Sequence, residues 1–174
     1  MKKTILKKVL IISIIILAII AFIYCTYTVI YSAKIAGGTI LPCIDDYTKV
    51  AKFYYEDFEK YDAEHLVYSI PSEKNKDIIC YTENFNHEII MDEITYQSFL
   101  IVEDSYRVDK QPIDYISVYD GFVSFCNNNG SASYVYSVYG EKPEFISNPD
   151  KPTDFLSVSV ISDNWYYVSE SFFS

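Results

Sequence analysis

The sequence is short of the residues that mark fibrous and disordered chains. It has five Gly and six Pro among 174 residues, and 50% of its residues are hydrophobic. A collagen-like chain needs Gly at every third position, and a disordered chain is poor in apolar residues, so both classes are excluded. The length predicts one folded domain with room for a short appendage.

Positive charge is scarce beyond the first 34 residues. Residues 1–34 contain five Lys and no acid, whereas residues 35–174 contain nine bases and 24 acids and so carry a net charge of −15. An acidic surface repels phosphate backbones, which argues against a nucleic-acid partner. Thirteen of the 14 basic residues are Lys, and Ile, Asn and Tyr are plentiful, as is typical of an AT-rich bacterial coding sequence.

Recognisable catalytic motifs are absent. The sequence contains no GxSxG, HExxH, P-loop, GxGxxG or EF-hand pattern. Its two His, His65 and His87, lie outside any nucleophile or metal-binding motif. We assign His65 a structural role, because it follows a predicted helix whose C-terminal end favours positive charge. The sequence therefore predicts no catalytic residue, no metal site and no cofactor.

Pairs of adjacent acids are the remaining candidates for catalysis. A glycosidase needs two carboxyl groups that face one bond. Adjacent residues on a helix point apart, so these pairs are better explained as solvent-exposed faces. A small cell-envelope hydrolase that uses paired carboxylates stays open as an alternative function. The pairs are Glu56-Asp57, Asp92-Glu93 and Glu103-Asp104.

A long uncharged run follows the basic N-terminus. Residues 1–8 contain four Lys and are predicted to form a cytoplasmic tail, and the 25 residues of 9–33 contain no charge. At about 1.5 Å per residue, a helix of this length spans roughly 37 Å, more than the ~30 Å hydrocarbon core. We expect residues 9–33 to anchor the chain in the lipid bilayer as a single-pass, uncleaved transmembrane helix, with the C-terminal domain outside the cytoplasm.

A cleaved signal peptide is the alternative to this anchor. Signal peptides have an apolar core of about 7–15 residues and small residues before the cleavage site. The core of this chain is longer, and its candidate site reads Tyr31-Ser32-Ala33, with a bulky ring where a small residue is expected. The pattern favours the anchor.

A Gly- and Pro-containing linker, residues 34–44, separates the anchor from a predicted extracytoplasmic domain of residues 45–174. A helix is predicted over residues 46–63, with Asp45 and Asp46 at its N-terminal end. Its aromatic and aliphatic residues recur at helical spacing on one stripe. These residues are Tyr47, Val50, Ala51, Tyr54, Phe58 and Tyr61.

The segment 88–106 fits either a helix or a strand. A helix is favoured, because the run is long and lacks Gly and Pro. Ile90, Ile94 and Ile101 would then lie on its apolar stripe, with Phe99, Val102 and Tyr106 close to the same side.

Strand patterns occupy most of the remaining chain. Two short strands are predicted at residues 66–70 and 77–82. From Ile113 onward the hydrophobic period is two, and turn sequences such as Asp120-Gly121 and Asp163-Asn164 divide this part into about five antiparallel strands. The predicted fold class is therefore α+β, with one or two helices packed on an antiparallel β-meander.

Three of the four Cys would face an oxidising exterior, where disulfides can form. Cys25 lies in the apolar run, and Cys43, Cys80 and Cys126 follow it. There is no CxxC pattern, which weakens a zinc or redox role. Cys80 and Cys126 both fall on predicted strands, where they form a possible disulfide or remain buried thiols.

Aromatic residues are the most unusual feature of the composition, with 18 Tyr, 11 Phe and one Trp. The densest cluster is Trp165-Tyr166-Tyr167, which is our candidate binding surface because aromatic rings are common anchors at interfaces. Successive strand residues face opposite sides, so Tyr166 should oppose the other two rings. Core packing of the same rings is the competing explanation.

These observations predict a membrane-anchored extracytoplasmic domain that binds a protein or an envelope component and is not an enzyme. An immunity or inhibitor protein is one specific form, because an acidic face suits a basic partner. The hydrolase described above is one alternative function. A sensor or assembly subunit that acts through the transmembrane helix is another.

Overall fold

The computed structural model describes residues 17–21, 23, 40–74, 76–82, 85–106, 108, 111–128, 131–146 and 156–170. The chain divides into two compact units, Met1–Ile35 and Ala36–Ser174. Among the described residues, no helix is both long enough and apolar enough to cross a membrane. The predicted tail, Cys25 and most of the predicted anchor lie outside the described residues. Within the predicted anchor, the described residues 17–21 and 23 are helical.

The first helix of the second unit, α1, runs from Ile44 to Phe58 and follows a 3-10 turn at Leu41–Cys43. The predicted helix of residues 46–63 is confirmed at its centre, but α1 begins two residues earlier and ends five residues earlier. Cys43 occupies the N-cap position without a side-chain hydrogen bond, so neither Asp45 nor Asp46 caps the helix. The predicted apolar stripe is buried, with Tyr47, Val50, Ala51 and Tyr54 fully inaccessible to solvent.

The second helix, α2, runs from Glu93 to Ser105. Asp92 caps it by accepting hydrogen bonds from the backbone N–H groups of Ile94 and Thr95, both at 3.0 Å. The favoured helix is thus confirmed for this stretch, and its predicted apolar face is correct in part. Phe99, Val102 and, just beyond the helix, Tyr106 are buried as expected, whereas Ile94 and Ile101 are exposed.

Eight antiparallel strands form one sheet in the order β3-β2-β1-β4-β5-β6-β8-β7. This confirms the α+β class and corrects the expected meander of about five strands. The strands are β1 (His65–Ser69), β2 (Asp77–Thr82), β3 (Phe85–Ile90), β4 (Tyr115–Tyr119), β5 (Phe122–Cys126), β6 (Ala132–Ser137), β7 (Leu156–Ser162) and β8 (Trp165–Glu170).

Two features of the sheet differ from a simple meander. Strand β3 occupies part of the segment expected to be helical, since residues 88–90 pair with β2. Strand β8 lies between β6 and β7 and pairs with both, so that consecutive strands β6 and β7 are not neighbours. The turn predicted at Asp163-Asn164 is present, with Asn164 at a φ of 64°.

Both helices lie on one face of the sheet, which we call the helix face. Near the start of α1, the Tyr47 ring lies 5.6 Å from Trp165 of β8, whereas near its end Asp57 contacts Tyr68 of β1 and His87 of β3. The helix therefore crosses the sheet from β8 to β3 and closes one continuous hydrophobic core. The opposite side of the sheet is its outer face.

The outer face is covered over β4, β5, β6 and β8 by the loop of residues 138–146. The Phe145 ring packs against Tyr119 at 4.8 Å and against Phe122 at 5.4 Å. Ser133 Oγ donates a hydrogen bond to the Ile146 carbonyl at 3.0 Å. Because this loop covers positions that alternation assigns to solvent, β6 is buried on both faces.

Candidate functional site

A buried carboxylate beneath the end of α1 is the centre of the most polar cluster inside the domain. Asp57 is 3% exposed, and its side chain accepts hydrogen bonds from Tyr68 Oη at 3.1 Å and Lys60 Nζ at 3.1 Å. Its Oδ2 also lies 2.8 Å from His87 Nε2. A buried carboxylate is costly without such partners, so the three contacts explain how this charge is accommodated.

Each member of this cluster comes from a different element. Asp57 is in the last turn of α1, Tyr68 is on β1 and His87 is on β3. The register of the sheet brings them together, because Cys80 of β2 stands directly between Tyr68 and His87. The ring of Tyr61, just beyond the helix, packs against the His87 ring with centroids 4.6 Å apart and planes tilted by 40°.

The Cys80 thiol completes the cluster but is a poor nucleophile. Burial, reinforced by the nearby Asp57 charge, raises the pKa of Cys80 to about 12, although its hydrogen bond with Tyr68 acts in the opposite direction. Burial also raises the pKa of the Tyr68 phenol. Both groups stay protonated at neutral pH, and the thiolate needed for nucleophilic attack is not available.

A cavity of about 340 Å³ opens beside this cluster, between α1 and the edge strand β3. Asp57 reaches the cavity from its buried position, whereas Glu56 and Lys60 lie at the exposed surface. The adjacent acids Glu56 and Asp57 thus differ in burial, although both line this cavity. The cavity is lined by Phe53, Glu56, Asp57, Lys60, Ile89 and Ile90.

The structure places the candidate binding rings inside the protein. Trp165 is 1% exposed and donates from Nε1 to Thr48 Oγ1 at 3.0 Å, and Tyr166 is 8% exposed and donates from its hydroxyl to the Gly140 carbonyl at 3.0 Å. Tyr167 is partly buried, with its ring 5.8 Å from that of Tyr134. The predicted alternation is correct, but both sides of β8 are covered, so Trp165 and Tyr166 are core residues.

The possible disulfide between Cys80 and Cys126 is not formed. Both residues are free thiols. Cys80 is on β2 and Cys126 on β5, three strand spacings apart or about 14 Å, whereas a disulfide needs Cα atoms within about 7 Å. Cys80 pairs through Tyr68 and Ile116 with Phe125, so it shares the helix face with Phe125 and Cys126 lies on the outer face.

His65 has a structural role in a different place from the predicted one. It is the first residue of β1 and lies beyond the end of α1, so it does not compensate the helix dipole. Its Nε2 lies 2.8 Å from Ser117 Oγ, and its ring stacks on Tyr119 with centroids 4.4 Å apart.

An apolar surface on the outer face of β2 and β3 is the second candidate site. Ile79 is 53% exposed, Tyr81 43% and Ile90 69%. The register places Tyr81 opposite the partly buried Val67 of β1. We call Val67, Ile79, Tyr81 and Ile90 the outer apolar patch.

Sequence reasoning missed the Asp57–His87 contact, because 30 residues separate the two side chains. One indication is present in the sequence. Asp57 follows Val50 and Tyr54 at helical spacing and so belongs to the edge of the apolar stripe, where an acid needs a partner.

The comparisons with known proteins found no relative of this chain. No protein-family model, no curated protein and no solved structure matches this chain.

Proposed function

We propose that this chain is a membrane-anchored extracytoplasmic domain that binds a protein partner. The outer apolar patch carries the proposal, because soluble surfaces seldom leave neighbouring large apolar side chains open to water unless another surface covers them. The uncharged run of residues 9–33 supports the anchor, and the net charge of −15 over residues 35–174 favours a basic partner.

Enzymatic hydrolysis has less support than binding. The Asp57 carboxylate is surrounded by Tyr68, Lys60 and His87, and Glu56 beside it points to solvent. Glu56 lines the same cavity, but the three hydrogen-bond partners of Asp57 already occupy the carboxylate that would have to act together with it. The Cys80 thiol stays protonated at neutral pH for the reason given above.

The test is retention of a partner by the tagged full chain. Proteins would be cross-linked in intact membranes, purified with the chain and quantified by mass spectrometry. The double variant Ile79→Thr with Tyr81→Thr removes apolar area from the patch and keeps strand-forming residues. Val160→Thr is the matched control, since Val160 is 72% exposed on β7 at the other edge of the sheet.

We expect at least one protein to be retained by the wild-type chain and by Val160→Thr, and to be reduced about tenfold or more by the double variant, as at an interface hot spot. A set of retained proteins that is the same for all three chains would refute the proposal. Cleavage of an envelope polymer by the purified chain, lost in Glu56→Gln, would support the hydrolase instead.

A further inference from the structure

Alternate residues of β3 do not use their backbone N–H and C=O groups to bond to β2. The Met91 N–H donates to the Lys76 carbonyl at 3.0 Å, and the register continues in steps of two through Ile89 and His87. In an antiparallel ladder, residues that bond to the neighbouring strand alternate with residues whose backbone groups point away from it. The backbone N–H and C=O groups of Asn86, Glu88 and Ile90 therefore point away from β2.

A hydrogen bond on the other side of β2 supports this assignment. The Ile79 N–H donates to Ser69 Oγ on β1 at 2.9 Å, so Ile79 directs its amide away from β3. Ile79 pairs with Glu88, which accordingly is not bonded through its backbone to β2. Since β3 is an edge of the sheet formed by the described strands, the outward groups of Glu88 face the space beyond that edge.

The cavity under α1 lies along the same edge. Phe53, Glu56 and Lys60 line it from the helix, and Ile89 and Ile90 line it from β3. Side chains of a strand added beside β3 would alternate between the helix face and the outer face. Those on the helix face would enter the cavity, and those on the outer face would lie beside the outer apolar patch.

The charged residues around the cavity favour a positively charged side chain as its occupant. Asp57 already forms a salt bridge with Lys60 and a close contact with His87 Nε2 at 2.8 Å. Glu56 is exposed at the rim, and the salt bridges among the described residues do not include it. Glu88 is exposed on the outer face of β3, opposite Ile79, and is not among the residues that line the cavity. A long basic side chain can lay its methylene groups on Phe53 and Ile89 and present its cationic group to Glu56.

We propose that the open edge of β3 binds an extended segment of a partner protein as an additional strand, with one Lys or Arg side chain of that segment in the cavity beneath α1. This proposal rests on the protein-binding function proposed above and names its ligand. Backbone hydrogen bonds to Asn86, Glu88 and Ile90 provide affinity, and the cavity provides specificity. The cavity volume of about 340 Å³ suits one large side chain.

The test uses the full chain in lipid nanodiscs and a displayed library of random ten-residue peptides. We expect the enriched peptides to combine β-branched residues with one conserved Lys or Arg. The enriched peptides are then synthesised, and their dissociation constants are measured with purified variants.

Two matched pairs of variants separate the edge from the cavity. Glu88→Pro removes an outward N–H that β2 does not use, and Glu88→Ala removes the same carboxylate but keeps the N–H. Glu56→Gln removes the rim charge, and Glu59→Gln changes an exposed acid directly after α1 that does not line the cavity.

We expect Glu88→Pro to bind about fivefold or more weakly than Glu88→Ala, through loss of a backbone hydrogen bond. Glu56→Gln should bind about fivefold more weakly than Glu59→Gln, with a difference that shrinks at high salt. Hydrogen exchange on the wild-type chain should show new protection at Asn86, Glu88 and Ile90 when peptide is bound.

Equal affinities within both pairs, or enriched peptides without a basic residue, would overturn the strand-addition proposal. If Glu88→Pro fails to fold, the affinities of Glu56→Gln and Glu59→Gln and the hydrogen-exchange protection of β3 still test the proposal. These outcomes are independent of the membrane experiment, in which loss of partner through the outer apolar patch tests the broader function.

Discussion

The two halves of the sheet differ in how their outer faces are covered. Over β4, β5, β6 and β8, the loop of residues 138–146 covers the outer face, and Val135 and Val168 are fully buried there. Over β2 and β3, Ile79, Tyr81 and Ile90 remain substantially exposed. Both halves are covered by helices on their other face.

The four serines of the covered outer face and the apolar side chains of the open one both depart from a simple inside–outside rule. Beside apolar residues such as Val135 and Val168, the covered outer face carries Ser117, Ser124, Ser133 and Ser137, all at most 1% exposed. The open outer face carries large apolar residues. Small side chains let the loop approach the strands closely, whereas large exposed ones indicate a surface that another molecule covers. The difference between the halves locates the candidate interface.

The largest effect is expected in the covered half, from Trp165→Ala. Trp165 packs against Tyr47, Tyr136 and Phe125, so its truncation leaves a large cavity. We expect a loss of about 3–5 kcal/mol in the free energy of unfolding, measured by urea denaturation. A loss below about 1 kcal/mol would show that the indole is not a core residue.

A smaller loss is expected beneath the open half, from Asp57→Ala. The substitution leaves the Tyr68 hydroxyl and the His87 ring without their buried acceptor. We expect the free energy of unfolding to fall by about 3 kcal/mol. This value is near the lower limit for a broken buried ion pair, because Lys60 is exposed. Asp57→Asn keeps an acceptor of the same size and should lose less. Equal losses for the two variants would contradict the hydrogen-bonding role.

The comparison between the halves is tested directly by one substitution in each outer face. Ser124→Val adds volume beneath the covering loop and should cost about 1–3 kcal/mol through overpacking. Ile79→Ser removes an exposed side chain and should change the stability by no more than about 0.5 kcal/mol. If Ile79→Ser were the more destabilising of the two, the open face would have to be covered in solution.

A small loss of stability is expected at the N-cap of α2, and it depends on pH. Hydrogen bonds from the Thr95 hydroxyl and from backbone N–H groups lower the pKa of Asp92. A carboxylate whose pKa is lower in the folded state stabilises the fold above its unfolded pKa of about 3.9, and this contribution is lost as the pH falls through the folded pKa.

Asp92→Ala should therefore cost about 1 kcal/mol at pH 7, and the difference from wild type should shrink below about pH 4. Asp104→Ala, an exposed acid near the other end of α2, is the control and should show no comparable loss. A difference from wild type that stays constant between neutral and acidic pH would contradict capping by the ionised carboxylate.

Local sequence patterns predict much of this fold. Alternation identifies strands such as β4 and β6, and the stripe of α1 identifies its buried face. Strand β3 was missed because Ile89, Ile90 and Met91 form a continuous apolar run, which hides the alternation and joins the strand to the pattern of α2. The misplacement of Ile94 and Ile101 on the buried side of α2 has the same origin, since a helix that includes Ile90 directs its apolar stripe toward these residues.

The candidate sites depend on contacts that local patterns do not contain. Tyr166 was correctly placed opposite Trp165, but alternation does not reveal that residues 138–146 fold back over the outer face. Asp57 and His87 meet only because β1, β2 and β3 align beneath α1. The open edge of β3 follows from the strand order, which short-range periodicity does not encode.

The position of β8 has a consequence for how the domain is completed during synthesis. Strand β8 follows all the other described strands in the chain, yet it is the neighbour of both β6 and β7. A ribosome that has produced residues up to Asp163 has made β7 but not the strand that joins it to the sheet. A premature stop at that point would remove Trp165 from the core and leave the edge of β6 unpaired, which favours aggregation. Synthesis of β8 is therefore the step that joins β7 to the rest of the described sheet.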